Sequence, residues 1–263
     1  LSQMAADILE TDLDNVIPFG VDTDISPYDS GSYASATTYI TGKAVAKAAE
    51  NLKEKVIKMG ASMLEAEPDE VTFNGKCVEK KDQSAKVTLP EIGVRGTFGN
   101  NDALQVTENC GAEISPPPYM VGIAEVEIDK ETGSVELIDY VAVVDCGTPI
   151  NPNLARVQTE GGIAQGIGMA LFEDIQYTEK GAMANNSLMQ YKIPSRLDVG
   201  KIRVEFKPSY EKSHPFGAKS IGEIVIDTPC PAIANAVYNA VGLRVEEMPI
   251  KPEKIAMELL DEK

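Results

Sequence analysis

Four glycines, Gly161, Gly162, Gly166 and Gly168, sit inside the longest stretch of this chain that reads as helix, residues 154–172. Each costs about 1 kcal/mol relative to alanine in an isolated helix. So glycine-dense a helix persists where another backbone comes too close for side chains. The stretch therefore reads as a central helix, not a surface one. Its polar members Gln158 and Gln165 then fall in a crowded region and need hydrogen-bond partners, and a polar cofactor could be one. The run 158–168 does not fit GxGxxG. No strand leads directly into it with a ribose-binding acid at the right distance, so a Rossmann assignment is rejected.

The remaining periodicities set the fold class. Leu1, Met4, Ala5, Ile8 and Leu9 have helical spacing with no cap before them. That start reads as a fragment of a longer protein or a processed subunit, against the alternative of a frayed natural terminus. Residues 17–35, rich in Pro, Gly, Asp and Ser, read as loop. Ala44, Val45, Ala48, Leu52, Val56 and Ile57 make residues 42–60 an amphipathic helix. Asn74-Gly75 between residues 71–73 and 76–79 is a strong hairpin signal. Residues 82–118 are less regular and close on Ser115 and three prolines, a stiff connector. Residues 119–128 and 134–144 flank Asp129-Lys130-Glu131-Thr132-Gly133 as a second hairpin. Residues 201–206 read as strand, 229–241 as a helix ended by Gly242, and 253–260 as a short helix. Hairpins and helices without regular βαβ alternation point to an α+β fold.

With 263 residues the chain can bury a sizeable core in one large domain or two lobes. Its formal charge, 24 − 41 = −17, argues against nucleic acid and anionic membrane surfaces as partners. No run is long enough to span a bilayer. Cys77, Cys110, Cys146 and Cys230 are scattered and His214 is the only histidine, so neither a zinc site nor a disulfide framework is indicated. A reducing cytoplasm fits that cysteine usage.

Two segments carry candidate chemistry. Residues 29–38 pack small and hydroxyl residues before a helix. They read as backbone N–H and hydroxyl donors for an anion, or as a long turn with an N-cap. Residues 217–223 form a glycine-flanked loop that offers one carboxylate, Glu223, followed closely by the helix beginning near Pro231. Glu223 reads as a carboxylate held rigidly and partly shielded from water, the setting of a general base, or as a solvated loop residue or helix-start charge.

Together these motifs resemble the molybdenum hydroxylases, the xanthine dehydrogenase and aldehyde oxidoreductase family. The resemblance is carried by Asp22-Thr23-Asp24 with residues 27–35, by Asp145-Cys146-Gly147, Ile150-Asn151-Pro152 and residues 158–168, and by residues 217–223 and 231–242. It runs over nearly the whole chain, in the family's order. It implies that residues 1–263 are a two-lobed α+β molybdopterin-binding domain, the C-terminal half of the catalytic molybdenum subunit or a separate medium subunit. It implies Glu223 as catalytic base in hydroxylating an electron-poor carbon of an N-heterocycle or an aldehyde, with water as oxygen source. It implies Gln158 as a hydrogen-bond partner of the pterin, and Ala34, Ser35, Ala36, Thr37 and Thr38 as the lining of its phosphate side. The metal would be molybdenum held by the pterin dithiolene with no protein ligand, and the pterin the cytosine dinucleotide form. Another molybdopterin-binding half and iron–sulfur and FAD modules would be partners, and the chain alone would be inactive. A cofactor-free structural or assembly subunit of the same fold is the alternative, and an acidic binding module of only ancestral likeness a third. The chain departs from the family pattern at Ser220 and Ile221, where Gly and Val are common, and at Ile224-Val225-Ile226, where small residues or prolines are usual.

Overall fold

The computed structural model describes residues 1–20, 22–24, 26–99, 103–111 and 113–261; Val21 and Ile25 of the 17–35 loop lie outside the described residues. The chain divides into two units, residues 1–115 with 212–216, and residues 116–211 with 217–263. The connector of Ser115 and the three prolines falls at the first boundary.

In the first unit, helix α1 (Ser2–Ile8) packs on helix α2 (Gly42–Met63). At 22 residues α2, not the glycine-rich helix, is the longest in the described chain. Strands β1 (Val71–Phe73), β2 (Cys77–Lys80) and β3 (Lys86–Thr88) form an antiparallel sheet in that order. At the β1–β2 turn Asn74 Oδ1 accepts the backbone N–H groups of Lys76 and Cys77. Gly75 has φ +77°, and a side chain there would strike the Glu10 carbonyl. Val56, Ala61, Phe73, Val78, Val87 and Ile92 form the core. Helix α3 (Leu89–Phe98) lies in the region expected to be irregular. Its signal was present: Thr88 and Glu91 make a capping box, and Pro90 occupies the first turn.

The second unit is built on strands β4 (Tyr119–Ile128), β5 (Val135–Asp145) and β6 (Lys201–Phe206), in that order. β4 and β5 form the expected hairpin, with a bulge at Glu125 and Val126. β6 lies parallel to β5, with Val141 opposite Arg203 and Val143 opposite Glu205. The crossover between them contains helix α4 (Pro152–Leu171), so one βαβ connection sits inside an α+β fold. Helices α5 (Ile224–Asp227), α6 (Pro229–Val241) and α7 (Pro252–Asp261) complete the unit. Leu137, Tyr140, Val144, Ile163, Ile167, Val204, Ile233 and Val237 meet in its core.

α4 shows why its glycines are tolerated. A Cβ at Gly162 would come 2.2 Å from Val225 Cγ2, and one at Gly166 would come 2.6 Å from Pro229 Cγ. Those two glycines let α5 and the start of α6 approach closely. Gly161 faces open space, and Gln158 and Gln165 are exposed, so the crowded setting expected for both glutamines is not what the chain adopts. α4 is central on one face only.

β4 also carries a close approach. A Cβ at Gly122 would lie 1.9 Å from Tyr140 Oη and 2.9 Å from Thr228 Oγ1, and the Tyr140 ring is fully buried. Gly122→Ala is expected to cost about 1–3 kcal/mol, the usual penalty of overpacking. Urea unfolding of the variant measures this, and an unchanged midpoint would show that the ring yields freely.

Candidate functional site

The loop that delivers Glu223 is stitched to the end of β5. Gly147 and Ala218 form an isolated antiparallel bridge, the Lys219 N–H donates to the Cys146 carbonyl at 2.8 Å, and the Thr148 N–H donates to the Gly217 carbonyl at 2.8 Å. Gly217 is buried with φ +72°, so the turn is shaped there. Lys219 Nζ lies 3.0 Å from Asp145 Oδ2 and 5.4 Å from the centre of the Tyr119 ring. The Lys219 side chain is only 9% exposed. Asp145 Oδ1 also accepts from the Gly147 N–H and the Ser209 hydroxyl. Burial alone would push the Asp145 carboxyl up. The Gly147 amide, the Ser209 hydroxyl and the Lys219 ammonium outweigh that and hold it below the usual aspartate range. Burial pushes the neighbouring Cys146 thiol up to about 11.

Four residues beyond Lys219 the loop presents Glu223, whose carbonyl accepts the Ile226 N–H in the first turn of α5. Gln158, on the exposed stripe of α4, donates from Nε2 to the Gly222 carbonyl at 3.4 Å. The Gln158 amide is therefore bonded to the residue that precedes Glu223. Glu223 is exposed. Of the two readings open for it, partial shielding and solvation, the second fits that exposure.

The hydroxyl-rich loop belongs to the first unit. Ala34 and Ser35 both adopt left-handed backbone, with φ 49° and 55°. Two successive non-glycine residues in that region cost about 1–2 kcal/mol each and persist only where their surroundings fix them. A single π turn, Thr37–Thr41, follows and runs into α2. Such turns recur at functional sites. Ala36, which precedes the π turn, has no polar side chain, and no side-chain cap bond is made there. Its own bonds hold it: Asp29 Oδ1 accepts the Gly31 N–H at 2.7 Å, and the Thr37 hydroxyl donates to Ser32 Oγ at 2.6 Å. Ala34 is exposed, while Ser35, Ala36, Thr37 and Thr38 are half-buried.

Among the described residues, no group of three or more His, Cys, Asp or Glu is placed to hold a metal ion, and no helix is long and apolar enough to cross a membrane. Asp145 and Lys219 lie inside the motifs that carry the family resemblance, and neither has a role there that the sequence announces. Partners 74 positions apart carry no local signal.

Against known proteins, the molybdopterin cofactor-binding domain family matches residues 1–200. A probable hypoxanthine oxidase, XdhD, of Escherichia coli K12 is 35% identical over 259 residues, covering 97% of this chain and 27% of that protein. The gamma subunit of the 6-hydroxypseudooxynicotine dehydrogenase complex of Paenarthrobacter nicotinovorans is 32% identical over 97% of this chain and 33% of its own length. A crystal structure of a Cu,Mo-CO dehydrogenase superposes with a TM-score of 0.82 at 25% identity, over 99% of this chain and 34% of that one. The chain belongs to the molybdopterin cofactor-binding domains of the molybdenum hydroxylases. It spans between a quarter and a third of the length of the curated relatives it matches.

Two outcomes follow from the Asp145 environment. Because the Asp145 carboxyl is depressed in the folded chain, its stabilisation is full above the unfolded value of about 3.9 and is lost as pH falls through the folded value. Asp145→Asn leaves Lys219 unpaired and is expected to cost about 3 kcal/mol, the low end for a buried pair, since Asp145 keeps some contact with water. Urea unfolding from pH 7 to pH 3 should show the gap between wild type and variant steady above about pH 5 and narrowing below about pH 4; a gap that does not narrow would remove the ion pair from this account. With a thiol near 11, Cys146 carries only about 10⁻³ thiolate at pH 8. Iodoacetamide should spare it in the folded chain and label it once urea is added.

Proposed function

We propose that this chain is the molybdopterin-binding part of an oxidoreductase, a molybdenum hydroxylase in which Glu223 is the catalytic base. The observation that carries the proposal is the meeting of Gln158 with the carbonyl of Gly222, which puts an amide donor beside the residue that delivers the carboxylate. The donor chemistry fits a polar, anionic pterin: hydroxyls of Ser35 and Thr38 with backbone N–H groups on one segment, the Gln158 amide on the other, and no thiolate or imidazole cluster that would compete for a metal among the described residues. Ala34, Ser35, Ala36, Thr37 and Thr38 would hold the phosphate side of the cofactor, and Gln158 the pterin. When bound, that group would supply the two-electron redox chemistry.

The role of Glu223 is to take up a proton as water-derived oxygen is delivered to an electron-poor carbon. Its exposure leaves it open to substrate. The exclusion of water that sharpens a base would have to come from another molybdopterin-binding half packed over it. In this proposal the whole chain, residues 1–263, works as one cofactor-binding module, inactive alone. Its partners are that other half and iron–sulfur and FAD modules. The relatives named for hypoxanthine and 6-hydroxypseudooxynicotine favour an N-heterocycle as substrate over an aldehyde. The CO dehydrogenase, similar in fold, warns that fold alone does not set the substrate. The pterin is taken as the cytosine dinucleotide form, which release of CMP on acid hydrolysis would test. Stoichiometric molybdenum in the assembled enzyme separates this reading from a cofactor-free structural subunit.

Glu223→Gln keeps size and hydrogen bonding but cannot take up the proton. In the assembled enzyme it is expected to lower kcat by roughly 10²–10⁴-fold. Molybdenum content should stay normal and KM should change far less, because the interaction matters mainly in the transition state. Near wild-type turnover at full cofactor loading would remove Glu223 as the base.

A further inference from the structure

His214 is the only histidine of the chain and is 1% exposed. It lies in the short segment 212–216 that returns to the first unit just before the Glu223 loop. Its Nδ1 accepts the Phe216 backbone N–H at 3.1 Å. A ring nitrogen that accepts carries no proton, so in the neutral ring the proton sits on Nε2. Nε2 lies 3.1 Å from the Thr38 carbonyl, which can only accept. One tautomer thus satisfies both contacts, and its Nε2–H donates to Thr38.

The surroundings are shaped for this contact. A Cβ on Gly42 would come 3.1 Å from Nε2 and 3.0 Å from Met4 Sδ, so the missing side chain opens the ring's place against α2. Tyr39, 2% exposed, sets its ring 5.7 Å from the imidazole, and its hydroxyl lies 2.6 Å from Ser213 Oγ. Segment 213–216 is thereby clamped onto the π turn Thr37–Thr41, directly after the left-handed pair Ala34 and Ser35. A strained turn keeps its shape only when both ends are fixed. Asp29 with Gly31 and Ser32 with Thr37 brace the first side, and the clamp braces the second.

We infer that His214 is a positioning residue for cofactor loading: its bond to Thr38 holds residues 34–38 in the conformation that receives the pterin phosphate. The inference rests on the reading of that loop in the proposed function. A loop that must be ordered before it binds has its apparent affinity reduced by the fraction of time it is ordered. Losing one buried hydrogen bond shifts such a balance by roughly tenfold.

The test uses the assembled enzyme with His214→Leu, His214→Gln and Ser35→Leu, reading molybdenum per chain and amide hydrogen exchange of residues 32–42. His214→Leu should speed exchange in that segment roughly tenfold and weaken cofactor binding by at most that factor, in proportion to the ordered fraction lost. Glutamine reaches the Nε2 position with an N–H donor and should recover most of both. Ser35→Leu should lower molybdenum by crowding the loop itself. If leucine and glutamine behave alike, or leucine loads fully with unchanged exchange while Ser35→Leu is depleted, His214 merely fills space and this inference falls alone. Full loading of Ser35→Leu overturns the loop reading and the inference together. Should leucine prevent folding, Gly42→Ala pushes on Nε2 from α2; full loading and unchanged exchange in that variant also overturn the inference.

Discussion

The buried pair of Asp145 and Lys219 is the interaction on which the second unit's candidate site depends. An ammonium only 9% exposed is not tolerated alone, so the end of β5 and the loop that follows residue 216 must meet wherever this chain folds. The Gly147–Ala218 bridge and the Lys219 N–H bond then fix the direction in which the chain leaves. That direction carries it across the glycines of α4, where Val225 and Pro229 settle against Gly162 and Gly166. The place of Glu223 follows from these contacts.

The sequence was most legible where structure is decided locally. Alternation and the Asn74-Gly75 turn give both hairpins, and Gly242, with φ +79°, ends α6 where a left-handed residue was expected. α3 was missed although Thr88, Pro90 and Glu91 spell out its start, because its apolar periodicity is broken by Gly93 and Gly96. The parallel pairing of β6 with β5 could not be read locally at all. It depends on the crossover through α4 and a coil of nearly thirty residues, and no turn sets its register. Glycine density predicted a close approach in α4 correctly but not which glycines make it: Gly162 and Gly166 do, while Gly161 faces outward.

The candidate site was legible as motifs and not as environment. Glu223 and Gln158 could be picked out, and the structure brings the Gln158 amide to the residue before Glu223. Gln158 was expected in a crowded region and Glu223 either partly shielded or solvated; both are exposed, because shielding depends on what packs over a residue and a motif does not record that. His214 carried no signal as a lone histidine. Its part emerges only when a segment 176 positions away supplies the Thr38 carbonyl.

The left-handed pair Ala34 and Ser35 shows how local strain and distant contacts answer each other. Glycine at either position would relieve the backbone, but it would also widen the set of shapes open to the free loop. Alanine and serine, with the smallest side chains that still restrict the backbone, keep the turn narrow at some cost in strain. That choice helps only if other contacts hold the turn in place. Here the Asp29 and Thr37 bonds brace it from within, and the ring of His214 braces it from a segment far along the chain. A loop built this way is ordered before any ligand arrives, so binding need not supply the free energy of ordering it.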